Sequence, residues 1–182
     1  PYANVNLMKS LEDLGITVVQ TQLNNTAEGR INDILFAAYV LDELESSKML
    51  INAINDQINY IELIKNAIGD TINTNILSVT YYDAYWAAGS GSTEGSIIEL
   101  AGYNNIASEF GFESNNMISK ESLIEMSPDI IVIPQSVEWG GQDFYDTLMS
   151  DESFNSIPAI NNEEVYMAVS YTHLTLPTIN WV

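Results

Sequence analysis

Cysteine is absent from these 182 residues, which excludes disulfides, thiolate metal sites and cysteine nucleophiles, and leaves the redox compartment unencoded. Basic residues are scarce: five Lys and Arg stand against 25 Asp and Glu, for a formal net charge of -20. Such a field repels phosphate backbones and anionic headgroups, so no nucleic-acid partner is expected. The acids are spread along the chain rather than gathered in a tail, as on a solvated surface. One histidine occurs, His173, in a C-terminal stretch of doubtful origin, so a Ser-His-Asp triad lacks its base. Long apolar runs are missing too: the longest, residues 34–41, falls far short of the ~20 residues a membrane-spanning helix needs. The chain opens on Pro1 with no charged-then-apolar leader, and its natural N-terminus, with any export signal or anchor, is expected upstream.

What is present is a core-forming sequence, 46% hydrophobic, enough for one generous core or two small lobes. Val5, Leu7, Met8, Leu11 and Leu14 recur at helical spacing before Gly15, and residues 16–19 read as a buried strand. After a polar loop at 21–25, Thr26 opens a second helix whose apolar face carries Ile31, Ile34, Leu35, Ala38, Leu41 and Leu44. The pattern restarts after Ser46 and Ser47. Over residues 48–68 isoleucines fall at 51, 54, 58, 61, 64 and 68, one stripe on one long helix that Gly69 and Asp70 terminate. Such a helix serves either as a stiff strut between lobes or as a coiled-coil seam.

Residues 76–82 form a β-rich run, followed by the small-residue turn 88–93 and a helix at 96–101 that stops at Gly102. Polar loops lead to Ser119, placed to cap the helix Lys120–Met126. A strand at Ile130–Ile133, a loop at 137–141, a helix at 142–149 and a last strand at 165–168 follow. Alternating strands and helices imply an α/β layer with parallel pairing and ligands at the carboxyl ends of the strands. The turn at 89–93 admits a phosphate cradle as well as an ordinary strand-to-helix turn, although no lysine follows it. Glu121 and Glu125, one helical turn apart, admit acid-base work or a hard-metal site, but so acidic a chain makes such pairs by chance.

Three stretches together resemble the iron-chelate and cobalamin-binding family of ABC substrate-binding proteins. They are the strut at 48–68; the run Tyr85-Trp86-Ala87-Ala88-Gly89-Ser90-Gly91-Ser92 with Ile98-Glu99-Leu100-Ala101-Gly102-Tyr103-Asn104-Asn105; and Ile118 to Leu123 followed by Met126-Ser127-Pro128-Asp129 and its strand. The resemblance covers about residues 5–168. It implies an α/β fold of two Rossmann-like lobes joined by one long helix, with the first lobe largely missing. Residues 1–46 are then the remainder of the N-terminal lobe, 47–69 the inter-lobe helix, and 70–168 the C-terminal lobe. Residues 169–178 resemble a translated adapter of transposon-based sequencing libraries, so 169–182 is expected to be an artefactual tail. The other reading is a natural terminal strand with a turn at Pro177.

The resemblance implies extracytoplasmic capture of a metal chelate (ferric siderophore, cobalamin or haem) by an exported or lipid-anchored monomer that delivers it to an ABC permease. It implies no catalytic residues and no resident cofactor or metal, the ligand itself being an iron or cobalt chelate. Tyr81, Tyr82, Tyr85 and Trp86 cluster where a strand meets its loop, and Trp139 follows the next core strand; flat rings there stack on a corrin, porphyrin or siderophore. Alternation sends about half of such a cluster into the core. The expected ligand-binding residues are Tyr82, Tyr85, Trp86 and Trp139, with Asn115 and Asn116 as polar candidates. A tyrosine among them is also a potential haem-iron ligand.

Glu121 matches a glutamate with which the family docks on permease arginines, while a first-turn carboxylate equally suits the helix dipole. From Gly69 onward the only Lys or Arg is Lys120, so a neutral or weakly charged chelate fits this lobe more readily than an anionic one. Two other classes stand beside this reading. One is a sensing or adhesion module of a larger surface protein. The other is a small α/β enzyme or metallocluster scaffold, for which the chain offers few ligands.

Overall fold

The computed structural model describes residues 4–21, 25–69 and 73–168. Asp70 and the whole of 169–182, His173 included, lie outside the described residues. The chain divides into two compact units, 1–55 and 56–182.

The first unit is helical. Asn4 caps α1 (Val5–Asp13) by accepting from the Asn6 and Leu7 amides, and Gly15 ends it. Residues 16–19, expected as a buried strand, take no strand pairing, and Ile16 and Val19 are about half exposed. Their β-branched composition finds no ladder partner among the described residues of this unit. Thr26 caps α2 (Ala27–Val40) through the Gly29 amide at 3.0 Å. The break before α3 (Leu44–Ile68) comes at Asp42, which sits left-handed at φ 58, not after Ser46 and Ser47. Both serines sit instead in the first turn of α3, where Ser46 Oγ donates to Glu43 and Ser47 Oγ to the Leu44 carbonyl. Their hydroxyls serve the helix start rather than a boundary.

In the second unit, α3 residues Ile58 and Ile61 are half-buried while Ile64 and Ile68 lie largely exposed. A mixed sheet follows, with strand order β4-β2-β1-β5-β6. Its strands are β1 (Asn75–Tyr81), β2 (Tyr85–Ala88), β4 (Asn115–Ile118), β5 (Ile130–Ile133) and β6 (Val165–Met167), with β3 (Asn104–Asn105) pairing the start of β1. β1, β3, β5 and β6 run parallel, as expected of an α/β layer. β2 alone is reversed, pairing antiparallel with both β1 and β4, which corrects the all-parallel expectation. The physical reason is length: only Tyr82, Asp83 and Ala84 join β1 to β2, enough for a hairpin, whereas a parallel crossover needs a dozen residues or more.

Helices α4 (Thr93–Leu100), α5 (Ile106–Glu109), α6 (Lys120–Met126), α7 (Gly141–Ser150) and α8 (Pro158–Asn161) pack on this sheet. Ser92 and Ser119 cap α4 and α6. Leu77, Val79, Ile131 and Ile133 from the strands meet Leu123, Phe144, Leu148, Phe154 and Ile157 in one fully closed core. Burial on this scale, at about 25 cal/mol per Å² of apolar surface, holds the lobe together. Among the described residues no helix is long and apolar enough to cross a membrane.

Candidate functional site

β1 and β5 are parallel neighbours, and the turns beyond their carboxyl ends enclose a cleft of about 580 Å³. Its rings are Tyr81, Tyr82, Tyr85, Trp139 and Phe144; Asp83, Asp143, Gly140 and Thr147 complete the lining. Tyr81 and Tyr85 are directly opposed across the β1–β2 hairpin, their ring centroids 5.0 Å apart. Phe144 of α7 stacks on Tyr81 at 5.7 Å and tilts against Tyr85 at 6.0 Å. Tyr85 in turn meets the buried Phe154 edge-on at 6.3 Å. These rings pack on one another as the cleft floor, while Trp139, 73% exposed, and Tyr82, 56% exposed, present open faces.

Burial, partly offset by nearby Lys120, raises the Tyr85 phenol above its ordinary value of 10.0.

The loop carrying Trp139 is held by Gln135, a fully buried amide. Its side chain bonds both the amide and the carbonyl of Tyr81 and also donates to the Trp139 carbonyl. Glycine is required where this loop folds back. Gly140 lies at φ 86, and a Cβ on Gly141 would stand 2.1 Å from the Gln135 carbonyl oxygen.

Of the expected ligand residues, Tyr82, Tyr85 and Trp139 come together in the cleft. Trp86, Asn115 and Asn116 do not line it. Tyr85–Ala88 is a strand rather than a loop, so the alternation that turns Tyr85 inward turns Trp86 to the other face, beside Met117 of β4. Asn115 and Asn116 belong to β4, in register with Ala88 and Ala87, instead of a polar loop. Sequence reasoning passed over Phe144, Asp143, Asp83 and Gln135. The Gly140-Gly141 pair was the available signal for a tight return into a helix that aims Phe144 at the cleft.

The amides of the turn at 89–92 are turned to backbone carbonyls. The amides of Gly89, Ser90 and Gly91 donate to the carbonyls of Ser114, Phe112 and Glu113, and that of Ser92 to Gly89. The phosphate-cradle reading is thereby corrected, since the amides such a site needs are already bonded. Among the described residues no group of three or more His, Asp or Glu is placed to hold a metal.

Glu121 stands exposed in the first turn of α6. Its own backbone amide and the Ser119 hydroxyl lower its carboxyl from 4.5. Lys120, beside it, is engaged elsewhere: its ammonium lies 2.5 Å from Asp151 and 4.5 Å above the Phe154 ring.

The lobe is thus an α/β layer with an aromatic cleft at its strand ends. The chain belongs to the periplasmic binding protein family, whose model matches residues 8–172. Similar solved structures include a possible iron-binding (periplasmic solute-binding) protein of Staphylococcus epidermidis, 18% identical with TM-score 0.74; 90% of this chain and 61% of that one align. The periplasmic heme-binding protein HutB of Vibrio cholerae is 22% identical at TM-score 0.70, covering 91% and 63%. IsdE of S. aureus, solved with heme, is 18% identical at 0.69, covering 90% and 63%. These likenesses concern the fold, and the chain spans about three-fifths of the length of these structures. No curated protein sequence matches it.

Proposed function

We propose that this chain is part of an extracytoplasmic binding protein that captures a metal chelate, a ferric siderophore, cobalamin or haem, and hands it to an ABC importer permease. The observation that carries this reading is the cleft at the ends of β1 and β5, where Tyr81, Tyr82, Tyr85, Trp139 and Phe144 offer flat faces and few polar groups. Large planar or globular chelates gain most from such walls, because ring stacking needs no bond to be made or broken. Iron- and heme-binding descriptions among the similar structures favour the same ligand class. In this reading α3 is the strut between lobes, Glu121 contacts the permease, and the protein acts as an exported or lipid-anchored monomer.

The test is a fluorescence titration of the full-length protein with a ferric hydroxamate, haem and cobalamin. At least one should quench tryptophan emission saturably. Trp139→Ala should weaken that ligand by about tenfold or more, as loss of a central aromatic contact does. If no chelate binds, the reading fails.

A further inference from the structure

We propose that the cleft selects chelates carrying net positive charge or a protonated amine, with Asp83 and Asp143 setting that sign. This rests on the capture reading and adds to it the charge of the ligand.

Among the described residues, Asp83 and Asp143 are the only charged ones that line the cleft, and they come from different elements, the β1–β2 hairpin and the first turn of α7. Neither takes part in an ion pair among the described residues. Among the described residues of the second unit no cation pairs with them. The second unit has two Lys or Arg, and both are engaged: Lys65 with Glu62 at 3.2 Å, and Lys120 with Asp151 at 2.5 Å and the Phe154 ring. From 73 to 168 fifteen Asp and Glu face that single lysine, so the wider field of the lobe has the same sign as the cleft.

The rings act in the same direction. The open faces of Trp139 and Tyr82 present π-electron density to whatever enters, which favours a cation and repels an anion. Asp83 and Asp143 are both exposed, so their pull on a cation is the part of the selectivity that salt weakens. A tricatecholate complex, with three negative charges, meets no guanidinium or ammonium in this lobe. A hydroxamate complex with a free amine arm meets two carboxylates and two ring faces.

The experiment compares two ligands that differ only in charge, on the full-length protein. The first is the ferric complex of a linear trihydroxamate with a free terminal amine; the second is the same complex with that amine acetylated. A ferric tricatecholate is the third probe. At low salt the amine complex should bind about tenfold more tightly than its acetylated form, the gap should shrink as salt rises, and the tricatecholate should bind worst. In the Asp83→Asn, Asp143→Asn double variant the gap should close to within about twofold. The ratio of the two affinities is the readout, so a variant weakened for both ligands still answers, and circular dichroism establishes that it is folded. Equal binding of the two hydroxamates, tightest binding of the tricatecholate, or an undiminished gap in the double variant overturns the inference and leaves chelate capture standing. If none of these complexes, nor haem nor cobalamin, binds at all, capture itself fails and the inference falls with it.

Discussion

The side chain of Gln135 pairs with Tyr81 as a neighbouring strand would: its Oε1 accepts from the Tyr81 amide at 3.0 Å and its Nε2 donates to the Tyr81 carbonyl at 2.8 Å. Through its bond to the Trp139 carbonyl the same amide ties β1 to the loop after β5. One buried side chain therefore sets the spacing between the cleft floor and its most exposed ring.

Replacing Gln135 with Leu keeps the bulk and removes all three hydrogen bonds, leaving the Tyr81 amide and two carbonyls without those partners. The expected cost is about 2–3 kcal/mol in chemical denaturation. With Trp86 and Trp181 changed to Phe, Trp139 emission should also become less anisotropic, because its loop is no longer held. An unchanged denaturation midpoint would show that the amide is not what fixes the loop.

Asp151 gives the lobe a measurable acid response. The hydrogen bond from Lys120, helped by the Ser153 hydroxyl and amide, lowers its carboxyl from 3.8 to about 2. Because the folded value is the lower one, this stabilisation is fully present above pH 3.8 and is lost as pH falls toward about 2. Thermal midpoints measured across that window should fall less steeply for Asp151→Asn than for the parent. Parallel curves would mean that the ion pair contributes nothing to folding.

For Glu121 the permease contact and the helix dipole make separable predictions. Glu121→Arg should stop chelate uptake in cells while leaving ligand affinity intact, since Glu121 lies outside the cleft. A dipole role alone lowers the melting midpoint slightly and leaves uptake running. Uptake assayed beside a melting curve separates the two.

Much of the scaffold was legible because its signals are local. Thr26 and Ser119 cap the helices expected of them, and the isoleucine run from Ile51 to Ile68 does lie on one helix. What was not legible depends on pairing. Residues 16–19 have strand composition but no partner among the described residues of their unit, and residues 115–118 look like a polar loop until β2 bonds to them. The site suffered in the same way. Tyr85 and Trp86 are equally aromatic, and only the antiparallel register with β1 assigns one to the cleft and the other to the opposite face. Phe144 depends on the bend at Gly140, which composition does not distinguish from any other glycine turn.

That register makes the chemistry of the cleft sensitive to a change in chain length that substitutes no residue. Inserting or deleting one residue in the Tyr82–Ala84 turn, with pairing shifted by one step, would bring the indole of Trp86 to the floor and carry the phenol of Tyr85 away. A hydrogen-bonding ring would give way to a broader one with a single donor. The length of this hairpin would thus select ligand shape without any substitution of the rings themselves.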